Sequence, residues 1–301
     1  MQRPNASHDN IPLAVATITA GVFALSLGDA LIKLTSNSFV LWQVFVLRSC
    51  LALVVLLGGG LVLNRASLQP LIAPFWTTLR SLLLVIMWIF YYIALPHIDL
   101  SIAAAAFYTL PLFITIFSAI SGNDTIGKTG WIAVILGFAG ILMILRPSAE
   151  GFNTYALLPL GSAMLYAVSM ILTRTKCRGE SALMLSLALN MAFVMVGGIA
   201  ALAMTQVSDG ARDGFLLARW TPMGASEWLS MALLAAAILI GSLSAAYAYQ
   251  KAPPATVGTF DFAYVGFSVL WGLIFFAEIP DLPAAAGIAL ICVAGILSLR
   301  A

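Results

Sequence analysis

The chain has 301 residues, 62% of them hydrophobic and 9% charged, with a formal net charge of +2. A soluble domain is nearer half apolar and a quarter charged, so the composition excludes a soluble fold and indicates an integral membrane protein. The charge is too mild to argue for nucleic acid. Ten membrane helices of about 20 residues would use roughly 200 residues, leaving short connections and no room for a nucleotide-binding domain.

Apolar runs between polar breaks predict ten spans, near 12–34, 39–63, 74–95, 100–121, 128–146, 154–174, 181–204, 226–250, 255–277 and 283–300. Barrel strands would be about 10 alternating residues; these longer continuous runs read as helices, which satisfy their own backbone in lipid. Residues 1–11 form a polar tail with no signal-peptide cleavage site. Span one carries Asp29 and Lys33, four residues apart on one helix face, a spacing that suits a pair. Arg48 lies near the middle of span two. Span three holds Trp88, Tyr91 and Tyr92, and its Arg80 is expected to snorkel to the membrane edge. Span four holds Phe107 and Tyr108, then Pro111, which removes a helix bond and kinks the helix.

Tyr166 lies in span six and Tyr247 and Tyr249 in span eight, while span nine holds Asp261, Tyr264, Gly266 and Trp271 and ends at Glu278. An Asp at a helix centre costs roughly 2.5–3.5 kcal/mol on insertion scales. Asp261 is therefore expected to face a cavity, where it can receive a substrate ammonium or a proton; a structural hydrogen bond is the plain alternative. Trp88, Tyr91, Phe107, Tyr108, Tyr166, Tyr247, Tyr264 and Trp271 can line a pocket that stacks flat substrates, with packing against core or lipid as the alternative for each. Trp220, Trp228, Tyr92 and Tyr249 read as interfacial belt residues. Ala103–Ala106, Gly58–Gly60 and Gly197–Gly198 permit close helix approach.

Enzyme chemistry finds no support. The sequence has no Walker A or HExxH motif, and its histidines, His8 and His97, lie in the tail and a loop. Cys50, Cys177 and Cys292 are scattered and show no disulfide or metal spacing. No metal or cofactor is expected.

With the N-terminus inside, the inner segments hold Arg3, Arg65, Lys128, Arg174, Lys176, Arg178, Lys251 and Arg300, against Arg146, Arg212 and Arg219 outside. The positive-inside rule then places both termini in the cytoplasm. A shift of 155 residues lays 92–145 on 247–300 without a gap, aligning Tyr92 with Tyr247, Phe107 with Phe262 and Pro111 with Gly266. Two halves of five spans follow, 12–147 and 154–301. An odd count inverts the second half, which is the plan of secondary transporters with a site between the halves. Pro111 and Gly266 are then paired candidate hinges.

The five-plus-five repeat, the span-two Arg48 in VFVLRSCLAL, Pro111 in FYTLPLF, Glu278 in FFAEIP and the endings GFAGILMIL and CVAGILSLR resemble the drug/metabolite transporter superfamily, EamA type. The resemblance covers nearly the whole chain. Three features depart from it: Gly266 stands where the family has a Pro, Asn123-Asp124 stands where it has a Glu, and the repeat motif is incomplete in both halves. The aromatic load is closest to YddG-type exporters of aromatic amino acids. The resemblance implies an all-α membrane protein of ten helices in two inverted repeats, in a bacterial inner membrane and functional as a monomer. The central cavity is then drawn from spans one, three, four, six, eight and nine, with Asp29 and Arg48 in gating. The expected activity is export of small amphipathic metabolites, aromatic amino acids first. Other metabolites, lipophilic cations and a non-transporting subunit stay open as alternatives.

Overall fold

The computed structural model describes residues 11–63, 74–110, 112–113, 116–117, 127–145, 153–177, 180–206, 214–251 and 260–298. The elements are α1 (Ile11–Thr35), α2 (Leu41–Leu63), α3 (Phe75–Ala94), α4 (Leu100–Phe107), α5 (Lys128–Leu145), a 3-10 turn (Thr154–Leu157), α6 (Leu158–Thr175), α7 (Ala182–Met204), α8 (Gly214–Leu217), α9 (Ala225–Lys251), α10 (Ala263–Phe276) and α11 (Leu282–Ser298). Among the described residues, six helices are long and apolar enough to cross a membrane: α1, α2, α3, α6, α7 and α9. The apolar helices α5, α10 and α11 are shorter.

Large aliphatic side chains reach the surface, and polar side chains are buried within an apolar core. Val54, Ile199 and Leu202 are exposed, while Ser26, Asp29, Arg48, Ser162 and Ser268 are buried. Lipid offers no hydrophobic gain for hiding an aliphatic side chain, so polar groups take the interior.

Helix α1 packs on α9 and α10, α3 on α6 and α7, α2 on α7 and α9, α4 on α6 and α10, and α5 on α11. Small residues set these distances. A Cβ on Gly21 would sit 2.7 Å from the Ser244 Cβ, and one on Gly28 would sit 3.0 Å from the Ala237 Cβ. Gly140 and Gly287 face each other so closely that a Cβ on either would lie 2.8 Å from the other's carbonyl oxygen. Gly197 fits under Trp42 and Phe45, and Ala103–Ala106 are buried as the spacing suggests. Gly58 and Gly198 meet no neighbour, because they face away from the packed surfaces.

The expected span four is helical over Leu100–Phe107, turns at Tyr108–Thr109 and is helical again at 110, 112–113 and 116–117. The expected span nine is helical at 260–261, turns at Phe262 and resumes as α10. Both helices therefore break, and α4 packs against α10. α10 runs through Gly266, the expected hinge, without a break, and the turn lies four residues earlier. Pro111 lies outside the described residues.

Candidate functional site

The breaks in the two short helices bring aromatic and acidic side chains together. Tyr108, at the C-cap of α4, stacks on Tyr264 of α10 at 5.0 Å and lies 5.4 Å from the Phe262 ring. Phe107 carries the cluster to Tyr91 at 5.4 Å and to Tyr166 at 5.6 Å. Trp88 joins through Tyr92 at 4.9 Å and Tyr91 at 6.0 Å. Ring pairs at these separations are favourable edge and offset contacts. Six of the eight expected pocket aromatics, Trp88, Tyr91, Phe107, Tyr108, Tyr166 and Tyr264, thus share one continuous cluster fed by α3, α4, α6 and α10.

Two carboxylates border this cluster. The Tyr264 hydroxyl donates to the Asp29 carboxylate on α1, and the Tyr91 hydroxyl is 3.2 Å from the Tyr264 hydroxyl. The Tyr108 hydroxyl donates to Asp261 Oδ1 at 3.4 Å. Asp261 is half-buried, and its position just before the Phe262 turn brings it beside ring edges. The arrangement gathers buried ring faces, hydroxyls and two acidic groups, the side-chain chemistry that recognises a small ring-bearing molecule with a polar end.

The expected pairing of Asp29 with Lys33 does not form. Lys33 lies at the end of α1 and turns to Glu278, with which it makes an ion pair, and to the carbonyl of Ile98. Asp29, one helical turn deeper, faces Tyr264. Glu278 Oε2 also accepts the Leu100 backbone N–H at 2.8 Å. Ala277 takes a left-handed conformation (φ 54°) that closes α10, and its N–H together with that of Glu278 bonds back to the last carbonyls. A Cβ on Gly272 would sit 3.0 Å from Glu278 Oε2, so this glycine gives the carboxylate its seat. The latch ties α1, the α3–α4 connection and the end of α10 at one end of the molecule.

Among the described residues, no ring contact joins Tyr247 or Trp271 to this cluster. Tyr247 is 39% exposed, because on α9 the neighbouring Ala248 is the side chain that faces the core. Trp271 serves helix packing: its indole N–H donates to Ser26 Oγ at 3.0 Å, and its ring contacts Phe23 and stacks on Phe275. Arg80 does not only snorkel; its Nε donates to Thr173 Oγ1 at 2.9 Å, joining α3 to α6.

Sequence reasoning missed Tyr92, placed by its position near a span end in the interfacial belt. It is buried and accepts a hydrogen bond from Arg48 Nη1 at 3.1 Å. The signal available was an Arg in mid-span, which needs a polar partner on a neighbouring helix. Trp220 and Trp228 are exposed, as belt residues are.

Residues 12–146 match the EamA-like transporter family. A riboflavin transporter of Rhizobium johnstonii is 30% identical over 66% of this chain and 61% of its own length. One of Vibrio cholerae is 27% identical over 58% of this chain and 54% of its own length. The chain therefore spans between half and two thirds of these two relatives. The pseudopaline exporter CntI of Pseudomonas aeruginosa is 24% identical over 90% of both chains. A solved crystal structure shares the fold at a TM-score of 0.64 and 18% identity, over 94% of this chain and 96% of that one. Residues 12–146 thus carry the pattern of the EamA-like transporter family, and the relatives compared over the longest stretches are named transporters or exporters.

Proposed function

We propose that the chain is a secondary transporter of the drug/metabolite type that exports small amphipathic metabolites bearing a flat ring, aromatic amino acids among them. The observation that carries this reading is the ring cluster at the two helix breaks, bordered by Asp29 and Asp261. Discontinuous helices facing each other near the middle of a bundle are a recurrent way to build a transport site.

The two-half organisation, 12–147 and 154–301, is supported by the packing. Exchanging α1–α5 for α6, α7, α9, α10 and α11 turns α1–α9 into α3–α6, α1–α10 into α4–α6, and α3–α7 into α2–α9. The pairs α2–α7, α4–α10 and α5–α11 map onto themselves. Alternating access then rocks these halves about the breaks at Tyr108–Thr109 and Phe262, in an inner membrane with both termini cytoplasmic and one chain sufficient. In that orientation the Lys33–Glu278 latch closes the outer end.

Cells overproducing the chain test the reading. Tolerance to toxic ring-bearing amino acid analogues and to riboflavin analogues is expected to rise. Tolerance only to lipophilic cationic dyes would replace the substrate class.

A further inference from the structure

Arg48 is 1% exposed, and only one face of its guanidinium is satisfied. Nη1 donates to the Tyr92 hydroxyl, while Nε and Nη2 have no hydrogen-bond partner among the described residues. The group is held over the rings of Phe193 at 4.7 Å, Phe45 at 5.6 Å and Tyr92 at 5.9 Å. These contacts stabilise the cation without using any N–H. Arg48 borders a small cavity between α1, α2, α3 and α9, whose walls include Gly28, Asp29, Tyr92 and Ala237. It has room for about one water molecule.

Nε and Nη2 form the side of the guanidinium fork that matches the two oxygens of a carboxylate. Leaving buried donors unmade is costly, and a purely structural Arg would be expected to fill them from its neighbours. Asp29, whose carboxylate accepts the Tyr264 hydroxyl, lies near enough for its charge to act on Arg48 but makes no hydrogen bond to Nε or Nη2. Tyr92 connects this cavity to the ring cluster, its ring lying 4.9 Å from Trp88.

We infer that the Nε–Nη2 edge of Arg48 is the docking point for a carboxylate of the cargo, whose ring lies in the adjoining aromatic cluster. The inference rests on the ring-transport reading and narrows it to carboxylate-bearing cargo. In the conformation described here the cavity is too small to hold a carboxylate. The carboxylate enters when α9, which supplies Leu234, Ala237 and Ile238 to the facing wall, moves off α2. Asp29 on the same cavity disfavours a second negative charge and favours an ammonium beside the carboxylate.

The test titrates the purified full chain with 3-phenylpropionate and 3-phenylpropan-1-ol, which share ring and chain and differ only in the head group. The wild type is expected to bind the acid about 10- to 100-fold more tightly, the range for a charge-assisted hydrogen-bonded pair. Arg48→Gln is expected to bind the two alike. Equal binding in the wild type overturns the inference and leaves the ring reading intact. Binding of neither compound overturns both. Equal binding by the wild type overturns the inference even where Arg48→Gln does not fold.

Discussion

Tyr108 and Tyr264 stack with ring centroids 5.0 Å apart and planes 26° apart, yet their hydroxyls serve different carboxylates, Asp261 and Asp29. The pair joins the two broken helices and sets both acids against the same ring surface. Tyr264→Phe keeps the stack but takes a donor from buried Asp29. A loss of about 1–3 kcal/mol follows for a buried group left short of a partner. It should appear as a lower melting temperature in detergent. Tyr108→Phe should cost less, because its bond to half-buried Asp261 is long at 3.4 Å. Equal losses would contradict this ranking.

Trp88→Ala and Tyr108→Ala should weaken cargo affinity while protein levels hold. Stacking on one ring is worth about 0.5–1.5 kcal/mol beyond burial, or roughly 2- to 12-fold. Trp271→Ala should act differently, because Trp271 bonds Ser26 and packs α10 on α1. Its melting temperature should fall with little change in affinity. Competition binding together with thermal melts separates the two kinds of residue.

Asp261→Asn keeps size and most hydrogen bonding. A carboxylate that pairs with a substrate ammonium predicts weaker binding of amine-bearing cargo. One that carries a proton predicts intact binding and loss of pH-driven accumulation in vesicles. Normal values for both would remove Asp261 from the site.

The latch makes a prediction about access. Lys33→Ala and Glu278→Gln each release one half of a partly buried pair, whose side chains are 12% and 11% exposed. The thiol of Ser268→Cys, buried in α10, should then react faster with a membrane-impermeant reagent added from outside. The swap of Lys33→Glu with Glu278→Lys should slow it again. An unchanged rate in all three would dissociate the pair from gating.

Topology can be read directly. After replacement of Cys50, Cys177 and Cys292, single cysteines at Lys176 and Arg219 should label from opposite sides of the membrane, 176 from the inside. Labelling of both from one side would undo the proposed orientation.

Much of the helix order was legible because lipid imposes long apolar runs, and positions such as Ile11–Thr35 and Ala182–Met204 fall close to the expected spans. The aromatic cluster was partly legible because its members sit mid-span. Which way a ring points was not legible: Tyr247 and Trp271 have the same composition signal as Tyr264, and only the rotation of each helix separates them. The Lys33–Glu278 pair was hidden for a different reason. Its partners are 245 residues apart in sequence, while Asp29 offered a nearer and equally plausible local match. The turn at Phe262 was missed because a bulky residue at a helix break has no local signature, whereas Gly266, which has one, lies inside unbroken α10.

The most direct measurement reconstitutes the purified chain alone in liposomes and follows counterflow of labelled phenylalanine and riboflavin, with glycine as the ringless control. The predicted result is saturable exchange of at least one ring-bearing compound, none of glycine, and a reduced apparent affinity in Tyr108→Ala. No saturable exchange of either ring compound, or exchange that Tyr108→Ala and Trp88→Ala leave untouched, would contradict transport through this cluster.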